Sequence, residues 1–184
     1  LYMMVTRNIH QDYYLAAIYY FLHFQYNGWF FFACIGLFWN KLKEFLPQLV
    51  ENKFIFILFA GACIPAYFLS TLWMPMPNWL YIIIVISAVV QIYAWISMVK
   101  LVKQNITLLK SKIDHFSRFL ILYAAIALSI KLLLQLVATI PYISHLAFSF
   151  RPIVIAYLHL VLLAFISVFL LSWFYSFNLI RRNK

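Results

Sequence analysis

Carboxylates are scarce in this sequence: Asp and Glu together number 4 in 184 residues, against 14 Lys and Arg. They are Asp12, Glu44, Glu51 and Asp114, and all lie outside the apolar runs. No catalytic carboxylate dyad can be assembled from them, and no proton-pumping carboxylate lies at membrane depth. Glycine numbers 3, which excludes a Gly-rich phosphate-binding loop. The two cysteines, Cys34 and Cys63, occupy separate apolar runs without CxxC spacing. A disulfide framework and a cysteine zinc site are therefore excluded, and both thiols are read as packing residues. No Ser-His-Asp set can be gathered either. Charged residues of every kind amount to 10%, where a soluble domain carries roughly 25%. That is too little charge to cover a water-facing surface, so soluble enzyme classes are set aside.

What is present is hydrocarbon and aromatic rings. Hydrophobic residues make up 67%, mean hydropathy is +0.94, and aromatics reach 21% with 6 Trp and 13 Tyr. Indole and phenol side chains in such numbers suit a protein with two membrane–water interfaces. Five apolar stretches approach or exceed the roughly 20 residues that span a hydrocarbon core: about Tyr13–Trp39, Phe54–Leu72, Trp79–Val99, Phe119–Ile140 and Ile153–Ile180. The expected fold is an all-α polytopic transmembrane helix bundle of about five spans, in one domain over residues 1–184. Pro141 and Pro152 mark helix ends, whereas Pro65 falls inside the second span and predicts a kink. The chain opens on Leu1 without a signal-peptide pattern, and residues upstream are expected, making this the C-terminal part of a longer membrane protein.

The net charge of +10 is laid out as topology signals. Lys41, Lys43 and Lys53 follow span one; Lys100, Lys103, Lys110, Lys112 and Arg118 follow span three; Arg181, Arg182 and Lys184 follow span five. Alternating spans bring these clusters to one side, expected to be cytoplasmic, with the N-terminal end outside, in a bacterial inner membrane. Lipid headgroups, not nucleic acid, are the expected partners of this charge. Val102, Ile106, Leu109, Ile113 and Phe116 recur at spacings of four and three, predicting an amphipathic helix on the inner leaflet or extending the flanking spans. Leu42, Phe45, Leu46, Leu49 and Val50 repeat the pattern more briefly. The sequon at Asn105 falls on the cytoplasmic side and is discounted.

Ionisable residues at bilayer depth are costly, so each is a functional candidate. His23 in span one and His159 in span five fall at matched depths, roughly 9–15 Å below the outer surface by helical rise. Lys131 in span four comes to rest near the middle, with Gln135 and Thr139 continuing its stripe and Gln91 on span three. These four form a candidate transport track. His10, His115 and His145 lie in connecting segments and are read mainly as solvated.

The first histidine stands in His23-Phe24-Gln25-Tyr26-Asn27-Gly28-Trp29-Phe30 and the second in Ala156-Tyr157-Leu158-His159-Leu160-Val161-Leu162-Leu163-Ala164-Phe165. Each has a small residue five positions on, followed by an aromatic. These segments resemble the His-x-His…Gly-Trp helices of subunit I in the haem–copper oxidase and nitric oxide reductase superfamily. The chain departs from that pattern at Gln25, which stands where the second histidine would be, and the family fold has more spans. The resemblance implies His23 and His159 as metal ligands of a haem held between spans one and five. Beside it, Asn27 is a candidate partner of His23, and Arg151 a candidate for a haem propionate. It also implies electron transfer, small-gas chemistry or a place in a respiratory chain. The residues themselves leave alternatives open: histidines serving helix packing, a transporter or channel component built on the Lys131 track, or an accessory subunit without chemistry. In the last case Tyr19, Tyr20, Phe24, Phe31 and Phe32 face lipid, other membrane subunits or the missing N-terminal part.

Overall fold

The computed structural model describes residues 11–46 and 53–176, apart from the side chains of His145, Phe148, Ser149 and Arg151. Among the described residues every regular element is helical. Helix α1 (Gln11–His23) runs without a break through a π-helical segment (Phe24–Phe30) into α2 (Phe31–Phe45), because His23 and Phe30 both keep right-handed helical dihedrals at the junctions. Helix α3 (Lys53–Ala66) contains Pro65 and tightens into a 3-10 segment (Tyr67–Thr71) directly after it. A ring that removes one N–H from the ladder explains the change of pitch there. The Met74–Pro77 turn leads into α4 (Asn78–Gln104), entered from extended dihedrals at Pro77. A short α5 (Ile106–Lys112) follows. Asp114 opens α6 (His115–Val137) by accepting the Phe116 N–H at 3.1 Å, an N-cap that satisfies one of the donors a helix start leaves free. Helices α7 (Pro141–Ser149) and α8 (Arg151–His159) each begin with proline in the first turn. A second π-helical segment (Leu160–Ser167) joins α8 to α9 (Val168–Ser176).

Among the described residues four helical stretches are long and apolar enough to cross a membrane: Lys53–Thr71, Asn78–Gln104, His115–Val137 and Pro152–Ser176. They correspond to expected spans two to five and are compatible with an integral membrane protein. The first expected span forms one helical rod from Gln11 to Phe45 but is not among the four. His23, Gln25, Asn27 and the tyrosines around them lower its hydropathy.

Large aliphatic side chains coat the outside of the bundle, and its buried faces mix apolar residues such as Ile84, Leu128 and Leu132 with small and polar ones. On α4 the buried face carries Ser87, Ala88, Gln91 and Ala94, whereas Ile82, Ile86, Val89 and Ile96 are exposed. On α6 the buried face carries Ala124, Ala127, Lys131 and Gln135, with Leu122, Ile126, Ile130 and Leu133 outside. Small residues let helix backbones approach where lipid supplies no hydrophobic drive between helices. Trp95 of α4 donates its indole N–H to Ser129 of α6 at 2.8 Å, and Ser172 of α9 donates to the Ser117 carbonyl at 3.0 Å. At the level of α2 the core is aromatic: Phe31 meets Phe59 at 5.0 Å and Phe165 at 6.2 Å between ring centroids.

Helix ends sort into two groups. Tyr67 at the end of α3 donates to Ala16 near the start of α1 at 3.0 Å, and Tyr81 near the start of α4 donates to the Thr139 carbonyl just past α6. At the opposite end, Lys41, Lys103, Arg118 and Ser176 border one cavity. The basic ends of α2, α4 and α6 thus lie together with the end of α9. Helix α5 turns its apolar face inward: Leu109 is buried against Leu42 and Leu46, with Val102 and Ile113 beside it, while Ile106 and Phe116 are exposed. The expected amphipathic segment is therefore broken at Asn105 and clasps α2. Leu49 and Val50 of the second basic stretch lie outside the described residues.

Candidate functional site: a buried polar centre

His23 ends α1 and points inward, 4% exposed, toward α3. Its Nε2 lies 2.9 Å from the Cys63 carbonyl oxygen. A carbonyl can only accept, so the proton sits on Nε2, and Nδ1 is left as acceptor for the Asn27 amide at 3.3 Å. The Cys63 thiol closes the loop by donating to the Asn27 carbonyl at 3.6 Å. Phe24 and Tyr67 meet the imidazole edge-to-face at 5.2 and 6.1 Å. Cys63 lies on α3 four residues before Tyr67, where the helix changes to 3-10 pitch.

Lys131 approaches the same region from α6. It is 5% exposed, its Nζ lies 5.9 Å from the centroid of Phe31, and it is within electrostatic reach of His23 and Cys63. No carboxylate is paired with it among the described residues; the ion pair described there joins Lys41 to Glu44 on α2. One turn along α6, the Gln135 side-chain oxygen is buried and has no hydrogen-bond partner among the described residues. Thr139 is also buried, but its hydroxyl donates to its own helix at Leu136, 2.7 Å away. Gln91 is buried on the inner face of α4. Lys131 and Gln135 thus share the interior face of α6, and Thr139 follows in the turn just past its end.

The two histidines are not brought together. His159 is exposed, and its Nδ1 bonds the Ile155 carbonyl of its own helix at 2.8 Å. A haem held between them needs a slot beside each ring and a free lone pair on each imidazole. His23 has neither, because it is buried and both ring nitrogens are engaged. His159 retains a free Nε2, but outside the bundle. Gly28 opens no approach for a second backbone: a Cβ built there meets only Phe24 of its own helix, at 3.7 Å. Among the described residues no three His, Cys, Asp or Glu side chains gather around a metal position. The side chains of Arg151 and His145, and the whole of His10, lie outside what is described. Phe31, expected on a lipid- or partner-facing surface, is in the core at 6% exposure, whereas Tyr20 is outside.

Sequence reasoning missed Cys63 as a partner of His23. Pro65, two residues on, signals a local helix defect, but the carbonyl that its missing N–H leaves without an α-helical donor is that of Gly61, so the sequence did not point to Cys63. Each histidine also immediately precedes a π-helical segment, a feature that composition does not announce but that recurs at functional positions in helices. No known protein family, curated protein or solved structure matches this chain.

Proposed function

We propose that the protein is a proton-linked membrane transport component whose working residue is Lys131. The observation that carries this reading is a lysine amine buried on the inner face of a membrane-length helix, with no paired carboxylate and an unpartnered Gln135 oxygen one turn away among the described residues. A lysine at bilayer depth costs about 2.5–3.5 kcal/mol on insertion scales. A packing role does not call for that cost, since methionine would fill the same volume. In this reading Lys131 alternates between amine and ammonium as its surroundings open to one side or the other. Gln135, one turn from Lys131, and Thr139 beyond it lead toward the outer end. Three basic helix ends on one side support the orientation, with the C-terminal end inside and the N-terminal end outside.

The test is proton flux into proteoliposomes, followed with an internal pH-sensitive dye under an imposed potential. Lys131→Met is expected to abolish the protein-dependent flux. Lys131→Arg is expected to abolish it as well, because a guanidinium keeps its charge and does not release its proton. Wild-type flux in a folded Lys131→Met protein overturns the reading.

A further inference from the structure

We infer that the cavity at the basic end is a binding site for one anionic phospholipid of the surrounding membrane, its chain inserted between the helices and its phosphate at the mouth. The cavity encloses about 770 Å³, within the range of roughly 300–1,000 Å³ typical of small-ligand sites. Its deep wall is bundle core. Ala124 and Leu128 of α6 are each 1% exposed, and Phe165 and Phe169 face them from the second π segment and α9. A wall of that composition accepts hydrocarbon and offers little to a polar solute.

The mouth is the opposite in character. Lys103, Lys110, His115 and Arg118 border it, and among the described residues no carboxylate lines the cavity. Asp114 stands next to His115, but its carboxylate is engaged with the Phe116 N–H. Lys41 is also at the mouth, paired with Glu44 at 3.0 Å and lying over the Phe45 ring. Arg118 is half-buried, and its Nε is enclosed with no hydrogen-bond partner among the described residues. A guanidinium in that state lacks the acceptor that a phosphate supplies through two parallel bonds. The polarity runs as in a bilayer leaflet: charge at the ends of α4 and α6, hydrocarbon along their length. A zwitterionic headgroup would bring a second cation to a rim that is already positive, so the charge selects a net anion.

The test uses the full chain in lipid nanodiscs of phosphatidylglycerol or phosphatidylcholine with identical chains, released into native mass spectrometry. One phosphatidylglycerol is expected to remain bound per chain under conditions that strip phosphatidylcholine. Arg118→Gln and Lys103→Gln are each expected to weaken retention about fivefold, the value of one basic residue near an anionic surface. Chain-brominated phosphatidylglycerol is expected to quench Trp95 and Trp173, which line the cavity, and Leu128→Trp is expected to displace the lipid by filling the floor. Equal retention of both lipids overturns the proposal. So does unchanged retention in an Arg118→Gln, Lys103→Gln double variant that melts like the wild type, or quenching undiminished in the Trp95→Phe, Trp173→Phe variant. Retention of neither lipid overturns it too, and assigns the cavity to the chain's own remaining residues or to a partner helix.

Discussion

At the scale of single residues, the two intramembrane basic side chains, His23 and Lys131, have opposite surroundings. His23 is fully engaged: one nitrogen donates to Cys63, the other accepts from Asn27, and aromatic edges close around it. The bond to Cys63 joins two helices, and such a bond contributes about 0.6–2 kcal/mol in a membrane protein. His23→Phe removes it together with the Asn27 bond and leaves the Cys63 carbonyl without that partner. It is expected to destabilise the folded protein by about that amount, read as a lower unfolding midpoint in detergent micelles. Lys131→Met is expected to leave the midpoint unchanged or raised, because no paired group is orphaned by the exchange. Both residues were legible as unusual from the sequence, since charge and imidazole are rare at membrane depth. Their partners were not, because the acceptor for His23 is a backbone carbonyl, which every residue possesses.

At the scale of elements, α4 shows how the bundle is assembled. Ala94 is 0% exposed on its inner face, while Ile96 two residues later is 46% exposed. Ala94→Leu forces extra methylenes between closely packed helices and is expected to cost roughly 1–3 kcal/mol. Ile96→Ala, on the lipid side, is expected to change the unfolding midpoint little; equal effects from the two exchanges would contradict the assigned rotation of α4. The positions of the long helices followed from hydropathy, whereas at the kink expected from Pro65 the structure has a change from α to 3-10 pitch at Tyr67. The π-helical segments did not, because widening a turn by one residue leaves hydrophobic composition untouched. Nor did the fold of α5. The spacing of Val102, Leu109 and Ile113 specifies an apolar face, but α2 and a lipid surface are equally apolar partners for it.

At the scale of the whole molecule, the two ends differ in charge and in shape. The end at Lys103, Lys110 and Arg118 is basic and hollow, whereas the end joining Tyr81 to Thr139 and Tyr67 to Ala16 is closed by hydrogen bonds. Single cysteines placed at Lys110 and Asn78 in a Cys34→Ser background report which end faces which compartment. Asn78→Cys is expected to react with an impermeant maleimide in intact cells, and Lys110→Cys only after permeabilisation, with the buried Cys63 unreactive in both. Labelling of both sites from one side would remove the proposed orientation and the antiparallel arrangement of α4 and the basic connection.

Length-limited apolar runs, few carboxylates and clustered lysines determined by themselves that the chain is a helical bundle suited to a membrane, and roughly where its helices lie. Tertiary structure alone decided that His23 bonds to α3 while His159 turns outward, and that a basic-mouthed cavity forms between helices distant in sequence. The reason lies in the solvent. In water, a hydrophobic stripe reveals which face of a helix is buried; in lipid, the outer face is as apolar as the core. The rotation of each helix is then set by small residues, a few polar bonds and a proline defect, and those become readable only once the helices have met.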